Sequence, residues 1–179
     1  MAEKHLEIER RWLLRGLPDA EILKAIGVEW TDLTTVYLIR DRDLEVRIRQ
    51  RSGNGEITYD VVTKVGAGLT RQESPKLSVS ADTFNYYYIT RGKPCLYKNH
   101  WEIPFFSGSS QKLEISRFNQ PKLRGLVLAE IEFKNREMAD SFSENDFPKW
   151  LKPLVVKEVT DDPRYNGKNL AVHGRPDQE

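Results

Sequence analysis

Charged and apolar residues alternate along several short segments of the chain, and this alternation restricts the possible fold more than any other feature. In residues 7–11 (EIERR), Glu7, Glu9 and Arg11 share one face of a strand, because successive side chains of a strand point to opposite sides. Residues 130–134 (EIEFK) repeat the pattern late in the chain. One such segment is ordinary for a half-buried strand. Its recurrence predicts a sheet with one strongly charged face.

The same patterning divides the chain into about eight strands, with helices between and after them. Strands are predicted over residues 6–14, 30–40, 44–51, 57–65, 69–79, 96–103, 112–118 and 126–133. Helices are predicted over 18–27, 80–89 (ending near Gly92) and 136–143, with a helical turn at 146–151, an extended piece at 157–160, and a capped turn and last helix over 161–171. Turns are predicted at residues 52–55 (SGNG) and 66–68 (GAG). This order is typical of an α+β protein built on a closed antiparallel barrel with flanking helices.

The charged faces allow two interpretations. In the first, they are solvated and the apolar faces form a sandwich core, as is usual for antiparallel sheets. In the second, the sheet closes with its charge inside and its apolar residues beneath helices. The interior would then combine two sets of side chains: Arg11, Arg47, Arg49, Arg51, Lys64, Arg71 and Lys98 with Glu7, Glu9, Glu45, Glu73, Glu114, Glu130 and Glu132.

The second interpretation requires a bound ligand, because each buried ion without a partner costs several kcal/mol of folding free energy. Guanidinium groups bind phosphate oxygens in a bidentate manner. Carboxylates suit Mg²⁺ or Mn²⁺, which prefer oxygen ligands and bridge phosphates. Cations and carboxylates in one cavity therefore suit a complex of a metal ion with a polyphosphate.

Composition limits the other possibilities. The 28 Lys and Arg residues nearly balance 27 Asp and Glu, for a net charge of +1, which argues against nucleic acid or a membrane as partner. Cys95 is the sole cysteine, so an internal disulfide and a cysteine-based metal cluster are excluded. Without a signal-like or spanning apolar run, we expect a soluble cytoplasmic protein. The length of 179 residues predicts a single domain over residues 1–172, with a polar, flexible tail over 173–179.

At this point the ordered motifs resemble those of the CYTH superfamily, the triphosphate tunnel metalloenzymes. Residues 7–11 resemble the family's opening Glu-x-Glu-x-Lys motif, and residues 47–49 its Arg-x-Arg strand. Lys64 matches the lysine that follows. Further matches are residues 69–73 (LTRQE) to an Arg-x-Glu strand, 128–133 (LAEIEF) to the late Glu-x-Glu strand, and 157–165 to the closing segment of small bacterial members. The matches occur in order along nearly the whole chain, so the resemblance favours the closed barrel with a charged interior.

Three positions depart from the family pattern. Arg11 replaces the lysine of the opening motif, which keeps the charge but changes its shape. His100 stands where an arginine is usual after Lys98, so that its charge depends on pH. Ser116 stands where many members have an aspartate two residues after Glu114. Each change affects the predicted anion or metal site, so catalysis does not follow from the resemblance alone.

The resemblance implies a role for each matched residue. Glu7, Glu9 and Arg11 would be catalytic, and a metal ion, Mg²⁺ or Mn²⁺, would be held by Glu130, Glu132 and Glu114 with Glu7 and Glu9. The substrate would be bound by Arg47, Arg49, Lys64, Arg71, Glu73, Lys98 and His100. A carboxylate would place the attacking water, and positioning and electrostatic stabilisation would supply most of the rate enhancement.

The predicted function is therefore metal-dependent hydrolysis of a small triphosphate compound, with inorganic tripolyphosphate as the favoured substrate. The protein is predicted to be a monomer or a homodimer. Three alternatives stay open. The protein could be an adenylate cyclase of the class IV type, or a thiamine or nucleoside triphosphatase. It could also bind polyphosphate or nucleotide without catalysis, which the three departures favour. A β-sandwich interaction module without ligand is the alternative that requires no cavity.

Overall fold

The computed structural model describes residues 5–66, 68–91, 94–104 and 112–176, which form ten strands and four α-helices. The strands are β1 (His5–Leu14), β2 (Thr31–Arg40), β3 (Leu44–Gly53), β4 (Glu56–Val65), β5 (Thr70–Glu73), β6 (Leu77–Ser78), β7 (Cys95–Pro104), β8 (Lys112–Phe118), β9 (Val127–Phe133) and β10 (Val155–Glu158). The helices are α1 (Ala20–Ile26), α2 (Ala81–Arg91), α3 (Arg136–Ser141) and α4 (Gly167–His173). Short 3₁₀ turns occupy Pro121–Leu123, Glu144–Asp146, Lys152–Leu154 and Pro163–Tyr165.

Eight of the strands close into an antiparallel barrel in the order β1-β5-β4-β3-β2-β7-β8-β9, and β9 pairs with β1 again. The long strand β1 makes this closure possible. It pairs with β9 from Ile8 to Leu14 and with β5 from His5 to Ile8. β10 pairs with β1, and β6 pairs with β4. This closure confirms the predicted α+β barrel. The interior of an eight-stranded barrel has space for its own side chains or for one small ligand.

The apolar faces of the strands point outward and are covered by helices and 3₁₀ turns. Ile8 and Trp12 of β1 pack with residues of β7, β8 and β9 against Ala139 of α3 and against Phe147. The rings of Trp12 and Phe147 meet edge to face with centroids 5.0 Å apart. On the opposite flank, Phe84 of α2 covers β2 and β3. Burial of each large apolar side chain contributes about 1.5–3 kcal/mol, and these outer clusters offset the cost of a charged interior. The sandwich interpretation is therefore wrong.

The predicted hairpin between β3 and β4 is confirmed and sets their register. Asn54 and Gly55 both have positive φ angles, 52° and 78°, as a type I′ turn requires. Gly53 then pairs with Glu56, and the register places Glu45 opposite Lys64. The charged faces of β3 and β4 therefore meet inside the barrel.

Some element boundaries differ from the sequence prediction. The single strand predicted over residues 69–79 is two short strands, β5 and β6, because Pro75 between them lacks the amide hydrogen that continuous pairing requires. The helical turn predicted over residues 146–151 is replaced by the 3₁₀ turns that flank it. The tyrosines at 86–88 lie in α2, as predicted. Ala67, Gly92 and residues 177–179, on which parts of other predictions rest, lie outside the described residues.

One end of the barrel is closed by the segment that leads into α4. Leu170 and Ala171 pack against Tyr37, Leu96 and Leu128, which point inward from β2, β7 and β9. Gly167 lies so close to Tyr37 that a Cβ atom there would overlap the phenol oxygen, and only glycine allows this approach. At the other end, the side chains of Glu102 and Lys112 are 40% and 58% exposed with respect to the described residues. We call the first the closed end and the second the mouth.

Candidate active site

The barrel encloses a cavity of about 840 Å³ that contains every predicted site residue on its wall. Among the described residues, eight lysines and arginines and seven glutamates line it. The predicted residues that it brings together are Glu7, Glu9, Arg11, Arg47, Arg49, Lys64, Arg71, Glu73, Lys98, His100, Glu114, Glu130 and Glu132. Their convergence establishes a polar cavity, whereas the individual roles predicted for them stay predictions.

Lys64 is the centre of a buried ion-pair cluster on β4, β5 and β1. Its Nζ lies 2.6 Å from Glu7 Oε1 and 2.8 Å from Glu73 Oε2, and its side chain is only 5% exposed. Burial by itself favours a neutral Glu73, but Lys64 outweighs it and lowers the pKa of Glu73 to about 2. The ammonium group is thus fully engaged with carboxylates.

Arg11 occupies a second cluster, where it joins β1 and β9 to the closed end. Its Nε donates to Glu130 Oε1 and its Nη2 to Glu9 Oε1, both at 2.5 Å. Its Nη1 donates to the Tyr165 carbonyl and to Asn166 Oδ1. Although burial opposes it, Arg11 together with Lys98 lowers the pKa of Glu130 far below its usual value. A lysine could not make all of these contacts, so the guanidinium group has a structural role here.

These two clusters form what we call the ion-pair side of the cavity. It comprises Glu7, Glu9, Arg11, Lys64, Arg71, Glu73 and Glu130. Arg71 completes it, with Nη2 at 3.2 Å from Glu7 and 3.5 Å from Glu9. Each cation on this side has at least two carboxylate contacts within 3.5 Å, so the charges are largely compensated before any ligand binds.

The cations contributed by β3 and β7 are compensated much less; we call Arg47, Arg49, Arg51 and Lys98 the arginine side. Arg47 lies 3.6 Å from Glu45, and Arg49 lies 3.2 Å from Asp60. Arg51 lies 3.5 Å from the same aspartate. Among the described residues, the buried Nε atoms of Arg47 and Arg49 have no hydrogen-bond partner. Both guanidinium groups therefore keep a hydrogen-bonding capacity that the described residues do not use.

The electrostatics at Arg49 and Lys98 favour an added anion, whereas at Arg47 burial is outweighed by Glu45, which raises the pKa of that guanidinium group. Burial, followed by the neighbouring Arg47 and Arg51, lowers the pKa of Arg49 to about 10. Burial also lowers the pKa of Lys98, whose Nζ donates to Ser116 Oγ at 2.9 Å. Because guanidinium groups form paired hydrogen bonds to phosphate oxygens, a multiply charged phosphate would relieve this mutual repulsion and satisfy the free donors.

Two of the departures from the family pattern contact each other. His100 Nδ1 lies 3.1 Å from Ser116 Oγ, which also accepts from Lys98. Burial, with Lys98 and Arg51 next, lowers the pKa of His100 well below its usual value. This shift disfavours the protonated form of His100, so its contribution of positive charge to the arginine side is reduced. The part in substrate binding that was predicted for it stays a prediction.

The carboxylates predicted to hold a metal ion lie on the neighbouring strands β1, β9 and β8. Glu132 pairs in register with Glu9, and Glu130 pairs with Glu114. Like charges that face each other across strands are unfavourable, and burial with the nearby Glu130 raises the pKa of Glu114 to about 7. A divalent cation would offset this repulsion, and its preference for carboxylate oxygen matches these ligands. The chemistry of these side chains therefore fits Mg²⁺ or Mn²⁺, although the group of three ligands within 4.8 Å of one another in the described residues is a different one, His100, Glu102 and Glu114.

Several residues on the cavity wall (Arg51 and Tyr37) or beside it (Glu102 and Asp60) were absent from the predicted site. Arg51 and Glu102 continue the alternation of Arg47-Arg49 and Lys98-His100, so the sequence contained a signal for both. Asp60, the partner of Arg49, lies on the face of β4 that carries Lys64 and could have been included on the same grounds. Tyr37 gave no signal, because the inward face of β2 is uncharged.

Comparison with known proteins agrees with the geometry. No protein-family model matches the sequence, and no curated protein matches it. The crystal structure of the inorganic triphosphatase NE1496 is similar, with 27% sequence identity over 93% of this chain and 94% of that one, at a TM-score of 0.60. A second structure of NE1496 has 26% identity over 94% and 99%, at 0.62. The PH1819 protein from Pyrococcus horikoshii OT3 has 16% identity over 85% and 92%, at 0.57, which is a likeness of fold.

The closed barrel, its charged interior and these neighbours lead to one conclusion. The resemblance noted in the sequence is confirmed at the level of fold: this chain has the CYTH-type triphosphate tunnel fold, the fold of the inorganic triphosphatase NE1496.

Proposed function

We propose that this protein is a divalent-metal-dependent triphosphatase whose substrate is inorganic tripolyphosphate. The observation that carries the proposal is the arginine side, where buried guanidinium donors lack partners among the described residues and face a carboxylate-rich wall. β3 and β9 lie four strands apart in either direction around the barrel. A ligand between them would therefore contact cations on one side and carboxylates on the other.

Each side of the cavity has a distinct part in this proposal. Arg47, Arg49 and Lys98 bind phosphate oxygens. Glu130, Glu132 and Glu114, with Glu7 and Glu9, hold Mg²⁺ or Mn²⁺, which when bound neutralises phosphate charge and lowers the pKa of bound water. Glu7 or Glu9 orients the attacking water. The chain's own contribution is positioning and electrostatic stabilisation rather than a covalent intermediate.

The lining of the cavity supports an inorganic substrate over a nucleotide, because charged side chains predominate in it. The closed end is lined by Tyr37, Leu96 and Tyr165, and it is blocked at Gly167. A linear triphosphate can lie wholly inside the polar part of the cavity.

The test is phosphate release from tripolyphosphate with Mg²⁺, with Mn²⁺ and with EDTA, and with ATP and thiamine triphosphate as alternative substrates. Glu9→Gln and Glu132→Gln should abolish metal-dependent release, whereas Glu137→Gln on the exposed surface of α3 should not. Formation of cyclic AMP from ATP would identify a cyclase instead. Absence of both release and binding of tripolyphosphate would overturn the proposal.

A second candidate function is binding of polyphosphate without hydrolysis. The observation that favours it is the engagement of Glu9 and Glu130 by Arg11, because these oxygens would otherwise be available to a metal ion. Calorimetry with tripolyphosphate distinguishes the two functions. Tight binding without phosphate release in Mg²⁺ or Mn²⁺ would support the binding protein.

None of the helices in the described parts of the chain is long and apolar enough to cross a membrane. A monomer or a homodimer, with a small triphosphate as the ligand, stays the prediction for its partners.

A further inference from the structure

Three possible metal ligands meet at the mouth, on β7 and β8. His100 Nε2 lies 3.5 Å from Glu114 Oε2 and 3.8 Å from Glu102 Oε1. The three ligand atoms all lie within 4.8 Å of one another. Ligands bound at about 2.1 Å from a metal ion stand roughly 3–3.5 Å apart, so the cluster needs only a small contraction to surround one.

The imidazole ring is held in an orientation that presents Nε2 to this cluster. His100 is 4% exposed, and its Nδ1 is 3.1 Å from Ser116 Oγ. The serine oxygen has two lone pairs, so it can accept from Lys98 and from Nδ1–H together. Metal-bound histidines commonly donate their other ring N–H to such a partner. Ser116, which replaces the family's aspartate, thus supports His100, which replaces the family's arginine.

The two carboxylates are placed by strand register. Glu102 pairs with Glu114 across β7 and β8, and Glu114 pairs with Glu130 across β8 and β9. Three glutamates therefore stand in one row. Glu130 is compensated by Arg11, and Glu102 Oε2 by Lys112 at 2.6 Å. Among the described residues, the basic group within ion-pair distance of Glu114 is the imidazole of His100.

Glu102 can bind a metal ion together with His100 and Glu114 while it keeps its ion pair with Lys112. Its Oε2 contacts Lys112, while its Oε1 faces His100 and lies 3.8 Å from Arg51. One carboxylate oxygen is therefore available to a cation while the other keeps its ion pair. The set offers one nitrogen and two carboxylate oxygens, with the open cavity beside it for water or a phosphate oxygen.

We propose that His100, Glu102 and Glu114 form a transition-metal site at the mouth, which shares Glu114 with the proposed carboxylate site but does not include Glu130 or Glu132. An imidazole ligand favours Zn²⁺, Co²⁺ or Ni²⁺ over Mg²⁺, which prefers oxygen throughout. The occupancy of this site does not depend on triphosphatase activity. Its role, to add positive charge beside Lys98, does rest on the proposed function.

The test is titration of the metal-free full chain with Co²⁺, followed by visible absorption, and with Mg²⁺ by calorimetry, without substrate. In His100→Gln, Co²⁺ affinity should fall at least about tenfold with loss of the nitrogen-ligand spectrum, while Mg²⁺ affinity is retained. His173→Gln, at an exposed histidine of α4, is the matched control and should leave both affinities unchanged.

Two further variants keep the proposal testable and separate it from the proposed function. Glu102→Gln is at a half-exposed side chain and should weaken Co²⁺ while the protein stays folded by circular dichroism. Glu132→Gln should retain the Co²⁺ spectrum even though it abolishes tripolyphosphate hydrolysis. Unchanged Co²⁺ binding in folded His100→Gln or Glu102→Gln, or loss of the spectrum in Glu132→Gln, would overturn the site at the mouth.

Discussion

The two sides of the cavity use similar charges for opposite purposes. On the ion-pair side, Lys64 and Arg11 each contact two carboxylates at 2.5–2.8 Å. On the arginine side, Arg47 and Arg49 have single carboxylate contacts at 3.6 and 3.2 Å, and their Nε atoms lack partners among the described residues. Cations that are paired with carboxylates stabilise the barrel. Cations with few carboxylate contacts can instead form ion pairs with a bound anion. Mutations should therefore separate stability from binding according to side.

The largest effect is expected for Lys64→Met on the ion-pair side. Removal of the ammonium leaves Glu7 and Glu73 buried together, which should lower the free energy of unfolding by about 3–5 kcal/mol. Urea denaturation at pH 7 measures it. Lys112→Met removes an equally short but exposed ion pair and should cost about 1 kcal/mol or less. Equal losses in the two variants would contradict the distinction between buried and exposed pairs.

Arg49→Gln should produce the reverse result on the arginine side. The loss of charge-assisted hydrogen bonds worth about 1.5–3 kcal/mol should weaken tripolyphosphate binding by roughly 10- to 100-fold. The free energy of unfolding should change much less than in Lys64→Met, because the repulsion from Arg47 and Arg51 that is removed offsets the loss of the ion pair with Asp60, which keeps Arg51 at 3.5 Å. Calorimetry and denaturation measure the two quantities. The control is Arg117→Gln, because Arg117 donates a hydrogen bond to Asn99 and does not line the cavity. A similar loss of tripolyphosphate binding in this variant would indicate a general effect of net charge.

Arg11→Lys tests whether the ion-pair side restrains metal binding. The shorter cation cannot bond Glu9, Glu130 and the Tyr165 carbonyl together, so stability should fall by about 1–2 kcal/mol for the lost hydrogen bonds. The carboxylates should then bind Mg²⁺ more readily, and phosphate release should reach its half-maximum at lower Mg²⁺. If the Mg²⁺ dependence is the same as for the unmodified protein, Arg11 does not compete with the metal.

The smallest change in the free energy of unfolding is expected for Glu114→Gln, which is compared with substitution of the neighbouring Glu130. Since the pKa of Glu114 is raised from 4.5 to about 7, its contribution to stability is present below about pH 4.5 and is lost as the pH rises through 7. Glu114→Gln should therefore stabilise the metal-free protein above pH 7, by about 1 kcal/mol after allowance for its partial exposure, and have little effect at pH 4.5.

Glu130→Gln should have the opposite sign. The pKa of Glu130 is lowered, chiefly by Arg11 against the effect of burial, so its charged form stabilises the folded protein at neutral pH and its removal should destabilise it. Denaturation in EDTA across this pH range measures both variants. Destabilisation by Glu114→Gln at pH 8 would contradict the expected repulsion within the row of glutamates.

The sequence predicted the barrel well because alternation leaves few options once strands are long. Residues 44–51 and 7–11 each fix a charged and an apolar face, and a shift of one residue would reverse them. The turn at Asn54 and Gly55 then fixes one register locally. The break at Pro75 was missed because the apolar residues on both sides suggested one strand, although proline lacks the required N–H.

Partnerships within the site were less predictable, because they depend on distances between strands far apart in sequence. Arg11, Glu130 and Asn166 are brought together by the closure of β1 on β9 and by the closed end. The contact between His100 and Ser116 was likewise hidden, since the two departures looked independent in the sequence and meet only in the register of β7 and β8. Alternation identifies which face a residue occupies but not which neighbour it meets.

The sequence by itself determined which side chains share the charged face and that strands of this kind could close around them. Tertiary structure decided that this face points inward, because helices cover the apolar faces on the outside. It also decided which cations are compensated and which remain open to a ligand. The physical reason is that alternation is a local property of the backbone, whereas charge compensation depends on side-chain separations of about 3–4 Å set by the closed barrel.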